Sequence, residues 1–312
     1  MGVHVIFWKN RRETALKKTM VQGYLYAVLS AVIFGCMPLM ATHIYGQGMT
    51  PMALVFWRNL LALPAMAFLA YRERRSLKVP PQALPTMVLL SFFGCTITPI
   101  LLFSSYRYIA SGTATVFHFV YPAAVVLVGL VFLRKKVHGA ELLSVALCMV
   151  GVMLFYEPGA DINLAGSAMA LGSGVLFAIY IVMLDVFRWR QEVHGYLLSF
   201  YIAALSALMT GLLCAVTGDF VLPAGLGGWG LCLLFALLMT VLAMSMFQQA
   251  ALLIGGEKTS VLSTLEPITS IVVGVLAFRE RVGAGALLGS VLVIAASVLI
   301  ALSDLKRAKA AR

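Results

Sequence analysis

Charged side chains are scarce in this sequence. They make up 11% of its 312 residues, whereas hydrophobic residues make up 62%. A soluble domain is typically about 25% charged and about 45–50% apolar. A water-soluble fold of this length could not bury so much apolar surface. The composition therefore excludes an ordinary soluble enzyme and indicates that lipid surrounds part of the chain.

The sequence also lacks the patterns of a disulfide framework, a metal site or a nucleotide-dependent enzyme. Its five cysteines share no paired spacing and lie within or beside apolar runs. Glycines at 225–230 form a dinucleotide-type pattern without a preceding strand, and 256–259 resembles the end of a phosphate loop without its leading glycine. No metalloprotease or serine-nucleophile motif is present. We therefore expect no metal, no cofactor, no catalytic residue and no ATP-driven transport.

Long apolar runs dominate what is present. About 20 apolar residues form a helix that crosses the hydrocarbon core of a bilayer. Ten such runs predict an all-α membrane protein with ten transmembrane helices. The runs are 22–44, 51–71, 84–106, 112–133, 139–156, 164–186, 195–216, 229–253, 258–278 and 284–302. They leave no room for a water-soluble domain.

The net charge of +11 comes mainly from Lys and Arg at the ends of these runs. If the N-terminus is cytoplasmic, 19 of the 23 Lys and Arg residues lie on the cytoplasmic side and 3 on the other, and Arg58 lies within a span. This asymmetry follows the positive-inside rule. It predicts a multi-pass protein of the inner (cytoplasmic) membrane with both termini in the cytoplasm, and it disfavours a nucleic-acid partner.

The chain contains an internal repeat. A shift of 145 residues aligns 112–155 with 257–300 without a gap, and it pairs Pro122 with Pro267. A shift of 143 aligns the first helix with the sixth, and it pairs Phe34 with Phe177. Each repeat holds five helices, an odd number, so the second enters the membrane from the opposite side. Inverted repeats of this kind are typical of secondary transporters.

The repeat defines the domain organisation. We predict a first five-helix repeat at 22–156 and a second at 164–302. A basic cytoplasmic segment, 1–21, precedes them, and a basic cytoplasmic tail, 303–312, follows.

Few ionisable side chains lie inside the predicted spans. Each costs about 2.5–3.5 kcal/mol on insertion scales, so such residues are functional candidates. The repeat pairs Tyr121 of the fourth helix with Glu266 of the ninth, and His118 with Ser263. We expect these four to face one another across a cavity between the repeats. Two simpler roles stay open: Glu266 bonds backbone or a neighbouring serine, and His118 is hydrogen-bonded packing.

Proline follows both members of one pair, as Tyr121-Pro122 and Glu266-Pro267. Proline removes a backbone donor and clashes with the carbonyl four residues earlier. We therefore predict that Pro122 and Pro267 break the fourth and ninth helices. Inside a membrane, such freed carbonyl groups are tolerated only where protein or a wet cavity supplies partners.

Other polar residues are weaker candidates for the cavity wall. Arg58 could reach the interface, pair with a carboxylate or bind a substrate carboxylate. Tyr106, Gln248 and Gln249 could line the cavity or form polar packing between helices.

The segment from Lys258 to Ile300 resembles an EamA-type permease of the drug/metabolite transporter superfamily. It has a polar helix start, a mid-helix proline, an Arg-Glu-Arg turn and a glycine-bearing last helix, in the order found in that family. The first half repeats this pattern from Thr113, and the sequence around Arg58 is similar to the family's second helix. The first half departs at Lys135-Lys136, where the family usually has an acidic residue. The resemblance spans about 20–303.

This resemblance implies a secondary carrier with a central cavity and cytoplasmic termini. We expect it to export a small-molecule substrate, such as an amino acid, by alternating access in the lipid bilayer. Efflux of drugs or organic cations, and uptake of metabolites, are alternatives with the same fold. An intramembrane enzyme or a channel is disfavoured. Proton coupling through Glu266 or His118 is a further hypothesis.

Overall fold

A computed structural model describes residues 19–74, 76–134, 138–154, 163–188, 195–278 and 283–310. Within these ranges the chain forms helices and no β-strand. The expectations for most of the basic N-terminal segment and for the Arg-Glu-Arg turn at 279–281 lie outside the described residues.

The described residues form ten helical segments, α1 to α10. Seven are long and apolar enough to cross a membrane, while α5 and the part of α10 at Leu287–Ser303 are shorter apolar helices. The ten membrane crossings and the side on which the termini lie stay predictions. The segments are α1 Thr19–Tyr45, α2 Pro51–Arg74, α3 Pro81–Ser105, α4 Ser111–Phe132, α5 Gly139–Met153, α6 Leu164–Arg188, α7 Tyr196–Thr217, α8 Gly225–Ile254, α9 Gly256–Ser263 with Glu266–Phe278, and α10 Ala284–Ala310.

The perimeter of the bundle is apolar. Phe132, Val216 and Leu276 are each more than three-quarters exposed. So much exposed apolar surface is characteristic of an interaction site or a membrane-facing surface. The bundle is therefore built for lipid as its solvent.

Helices α4 and α9 are interrupted at equivalent places. The first part of α4 ends at His118 and the second begins at Tyr121. The first part of α9 ends at Ser263 and the second begins at Glu266. In both, the residue that opens the second part precedes a proline, which has no N–H for the carbonyl one turn back.

Two other helices depart from regular α geometry. Helix α3 contains a π-helical stretch at Ser91–Ile97, and α8 contains one at Ala236–Met244. Pro99 of α3 has no N–H for the Cys95 carbonyl, and the Ser206 hydroxyl of α7 donates to that carbonyl at 2.8 Å. The irregular backbone therefore obtains a partner from the other half of the chain.

The two halves interlock. Helix α2 packs along α7, and α5 packs along α10. The Ser30 hydroxyl of α1 donates to the Ala243 carbonyl of α8 at 2.8 Å, while α6 packs on α3 and both parts of α4. The first helix of each half therefore packs on the other half.

The first helix of each half approaches a broken helix through a glycine. A Cβ atom on Gly35 of α1 would overlap the side chain of Thr269 in α9. A Cβ atom on Gly174 of α6 would overlap the His118 carbonyl oxygen in α4. Small residues permit such close packing of helix backbones in lipid.

Candidate functional site

A cavity lies between the two halves, and its empty space of about 530 Å³ includes open solvent. Both broken helices contribute to its wall. The lining residues come from seven helices, α1, α2, α3, α4, α6, α8 and α9. They are Phe34, Met37, Arg58, Gly94, Thr98, Pro99, Leu102, Phe103, His118, Tyr121, Phe177, Met244, Phe247, Ser263 and Glu266.

The helix breaks bring the two predicted pairs together on this wall. Tyr121 and Glu266 begin the second parts of their helices, and His118 and Ser263 end the first parts. The Tyr121 hydroxyl interacts with Ser263 and lies near Glu266. All four are buried in the protein, and Glu266 is only 9% exposed. Their role in substrate binding stays a prediction.

Glu266 does not bond the neighbouring serine, so the serine part of that simpler interpretation is wrong. The Ser270 hydroxyl instead donates to the Gly35 carbonyl oxygen at 2.6 Å. This hydrogen bond fixes α9 against α1 just beyond the break. It leaves the Glu266 carboxyl group on the cavity wall.

The His118 ring is oriented by α6. Its Nδ1 atom lies 2.8 Å from the Ser173 hydroxyl oxygen. That hydroxyl donates to the Ala170 carbonyl at 2.6 Å, so it accepts a hydrogen bond from His118 Nδ1–H. A neutral ring with its proton on Nδ1 has Nε2 as an acceptor. His118 is thus hydrogen-bonded packing and cavity wall at once.

Arg58 is buried without a carboxylate partner. Its side chain is 4% exposed, and its Nε atom has no hydrogen-bond partner within the described part of the chain. The guanidinium carbon lies 5.7 Å from the centre of the Phe103 ring, a cation–π contact. Arg58 lines the same cavity as Glu266, but the two form no ion pair. Of the three predicted roles, pairing with a carboxylate is therefore wrong for the described residues.

Three other candidates are not among the residues that line the cavity. Tyr106 packs beside Phe103, with ring centres 5.9 Å apart. Gln248 is buried and accepts a hydrogen bond from the Ser199 hydroxyl, whereas Gln249 has a buried Nε2 atom with no partner among the described residues. The sequence could not give the direction in which each of the three faces.

Aromatic side chains form a wall that the sequence reasoning missed. Phe177 of α6 contacts Tyr121, Tyr180 and Phe247, with ring centres 5.1, 5.6 and 5.3 Å apart. A signal for Phe177 was present, because the repeat aligns it with Phe34, which lines the cavity from α1. Phenylalanine is so common in membrane helices that the match alone did not point to a site.

The arrangement suits the binding of a small molecule. It combines a guanidinium group, a carboxyl group and aromatic faces in one cavity. Among the described residues, no group of three or more His, Cys, Asp and Glu side chains could hold a metal ion. The cavity thus offers recognition groups for a small polar molecule with apolar parts.

Comparisons with known proteins identify relatives of the chain. The profile of the EamA-like transporter family matches residues 21–157 and 164–302. YicL of Salmonella typhimurium, described as an uncharacterized inner membrane transporter, is 24% identical over 309 residues, which cover 93% of this chain and 98% of YicL. An uncharacterized transporter of Haemophilus influenzae is 21% identical over 264 residues, covering 82% of this chain and 84% of the relative.

A solved crystal structure has the same fold. It is 17% identical to this chain and covers 91% of it, and the match spans 98% of that structure with a TM-score of 0.73. At this identity the likeness is evidence of the fold alone.

Proposed function

The chain belongs to the EamA-like transporter family, and on that premise we propose that it exports small metabolites such as amino acids by alternating access. It is a multi-pass membrane protein, and its relatives are named as transporters rather than enzymes. The proposed location is the inner (cytoplasmic) membrane. The substrate class, the direction and the mechanism are the parts that the proposal adds.

The observation that carries this proposal is the cavity between interlocked halves. Both broken helices, α4 and α9, present buried polar residues to it. Transporters use discontinuous helices at the interface of two repeats to bind substrate near the middle of the membrane. Rocking of one half against the other would open such a cavity to each side in turn.

The proposed topology is ten membrane helices in two inverted repeats, 22–156 and 164–302, with both termini in the cytoplasm. Reciprocal contacts between the halves support it, because α1 packs on α9 as α6 packs on α4. Single cysteines placed in 1–18 and 311–312 of a variant without its native cysteines would test the sides. Labelling of these two ends from opposite sides of the membrane would refute the topology.

Counterflow in proteoliposomes tests transport itself. Vesicles preloaded with unlabelled amino acids should accumulate the labelled molecule transiently and saturably. The variant Glu266→Gln should fold as well as the wild type and weaken counterflow. The control Arg107→Gln, at an exposed arginine, should fold equally well and leave counterflow unchanged. Counterflow at the wild-type rate in Glu266→Gln would refute the assignment of Glu266 to the substrate cavity. Flux that does not saturate would indicate a channel instead.

Efflux of organic cations is the second candidate function. The aromatic faces of Tyr121 and Phe177 near the Glu266 carboxyl favour it, because cations bind aromatic faces and carboxylates.

Uptake, rather than export, is distinguished by the direction of flux in cells. Proton coupling predicts that an imposed pH gradient drives transport in the wild type and that this drive is lost in Glu266→Gln or a His118 variant.

A further inference from the structure

The cavity contains one buried basic and one buried acidic side chain that form no ion pair with each other. Arg58 of α2 and Glu266 of α9 both line it, and they form no ion pair. Desolvating a charge costs several kcal/mol unless a partner compensates it, as an order-of-magnitude rule. A bound molecule is therefore the natural partner for each group.

The surroundings of Arg58 are rich in hydrogen-bond donors. The Thr98 hydroxyl of α3 lines the cavity and has no partner within the described ranges. The Tyr45 hydroxyl, which interacts electrostatically with Arg58, is likewise buried without a partner there. A guanidinium group with free hydroxyl groups nearby suits an anionic oxygen group such as a carboxylate.

Glu266 shares the cavity wall with an imidazole and aromatic faces, and the hydroxyl groups of Tyr106 and Tyr121 lie near its carboxyl group. With the Ser173 hydroxyl donating to the Ala170 carbonyl, a neutral His118 carries its proton on Nδ1, and Nε2 of this wall residue is then an acceptor. Tyr121 and Phe177 pack edge to face beside it, with ring centres 5.1 Å apart. A carboxyl group with an imidazole acceptor and aromatic rings suits an ammonium group.

We propose that this cavity binds a zwitterion, with its anionic group at Arg58, its ammonium group at Glu266 and an apolar side chain against the remaining wall. The proposal rests on the function proposed above and specifies its substrate class. The apolar part of the wall includes Leu102, Met244 and Phe247, which offer no hydrogen bond to a polar side chain.

A molecule with one charge fits this site less well. A simple amine would satisfy Glu266 but leave Arg58 buried, unpaired and in the same cavity as a second positive charge. A simple carboxylate would leave Glu266 without its donor. The site discriminates against a ligand with a single charge because that ligand leaves one buried side chain without a partner.

The test uses matched probes that differ only in charge. L-Phenylalanine, phenethylamine and 3-phenylpropionate share one side chain, and L-leucine, 3-methylbutylamine and 4-methylpentanoate share another. Binding of each to the purified full-length protein is measured by calorimetry in detergent at fixed pH and salt. We expect at least one zwitterion to bind, and both of its singly charged analogues to bind at least tenfold more weakly.

Two variants assign the two ends of the site. Arg58→Gln should weaken the zwitterion at least tenfold and leave the amine no weaker than in the wild type, because the unpaired positive charge is gone. Glu266→Gln should weaken the zwitterion equally and leave the carboxylate no weaker than in the wild type. Arg58→Lys, which keeps the charge, should restore part of the affinity lost in Arg58→Gln. The controls Arg107→Gln and Asp219→Asn should bind like the wild type, and unfolding temperatures show which variants fold.

Several results would overturn the proposal. They are an amine or carboxylate that binds as tightly as its zwitterion, a folded Arg58→Gln that binds the zwitterion normally, and the absence of binding by both zwitterions. Counterflow separates this proposal from the function on which it rests. If a zwitterion binds but is not transported, the proposed transport function is refuted and the proposed zwitterion site is kept. If only an amine is transported, the zwitterion site is refuted and the transport function is kept.

Discussion

The indole Nε1–H of Trp57 donates a hydrogen bond to the backbone carbonyl oxygen of Val221, at 2.8 Å. The bond joins the start of α2 to the loop between α7 and α8. A second bond has the same form, because the Tyr201 hydroxyl in α7 donates to the Leu77 carbonyl between α2 and α3, also at 2.8 Å. Donors and acceptors are both related by 144 residues, so the two bonds are symmetry mates at opposite ends of the α2–α7 pair.

Removing either donor should destabilise the protein without unfolding it. Trp57→Phe and Tyr201→Phe each leave a carbonyl group short of one partner, which costs about 1 kcal/mol. The two sites lie at opposite ends of a long helix pair, so their effects should add to within about 0.5 kcal/mol. Denaturant unfolding in detergent measures both variants and their combination. A combined variant no less stable than either single one would show that the two ends are coupled.

Alanine at the two close-approach glycines should disrupt the site. Gly35→Ala would force α1 away from Thr269, and Gly174→Ala would force α6 away from the His118 carbonyl. Overpacking of this kind costs about 1–3 kcal/mol. Because each glycine touches a broken helix, counterflow should fall with stability.

The matched control is Gly112→Ala in the first turn of α4. A Cβ atom there meets nothing within 4 Å. This change should leave transport intact and raise stability by up to about 1 kcal/mol, because alanine favours helix. Equal losses in all three alanine variants would show that the close contacts are not the cause.

Replacing the two prolines should separate stability from transport. Pro122→Ala and Pro267→Ala restore a backbone N–H that can bond the carbonyl group one turn earlier. A continuous helix would rotate Tyr121 or Glu266 relative to the cavity. We expect stability to change by less than about 1 kcal/mol and counterflow to fall at least tenfold. Pro64→Ala in α2, which lies away from the cavity wall, is the control and should transport normally.

The sequence was sufficient for local features of this fold. Long apolar runs locate the helices because a helix satisfies its backbone polar groups within one segment, as lipid requires. Two prolines in aligned positions locate the breaks in α4 and α9 because the missing N–H acts within one turn. Helix α1 is also interrupted, by a turn at Gly35 and Cys36 that precedes Met37–Tyr45. The same signal was present there, since Pro38 lacks the N–H for the Phe34 carbonyl, but the repeat gives α6 no matching proline.

Features that depend on tertiary contacts could not be read in advance. The π-helical stretches of α3 and α8 have no distinctive residue pattern. Gln248 accepts a hydrogen bond from Ser199, whereas no described carboxylate pairs with Arg58. The position of each residue along its helix does not reveal this difference. Which way a polar side chain faces depends on helix rotation, and rotation is set by packing between the halves.

Ser173 and Ser30 provide the sharpest test of the site, because the repeat makes them equivalent. Both are fully buried, and both hydroxyls donate to backbone carbonyl groups. Only Ser173 also accepts from the ring of His118, at 2.8 Å. Ser173→Ala therefore removes the group that fixes the ring, whereas Ser30→Ala removes a contact between α1 and α8.

Ser30→Ala should lower stability by about 1 kcal/mol because it loses one buried hydrogen bond, and Ser173→Ala by about 2 kcal/mol because it loses two. Ser173→Ala should also weaken binding of a transported substrate severalfold, since His118 can then turn or change tautomer and no longer holds an acceptor in place. Ser30→Ala should bind that substrate like the wild type. Calorimetry and unfolding of the same two preparations make the comparison. If affinity falls equally in both variants, packing alone explains it, and His118 is not a residue that positions the substrate.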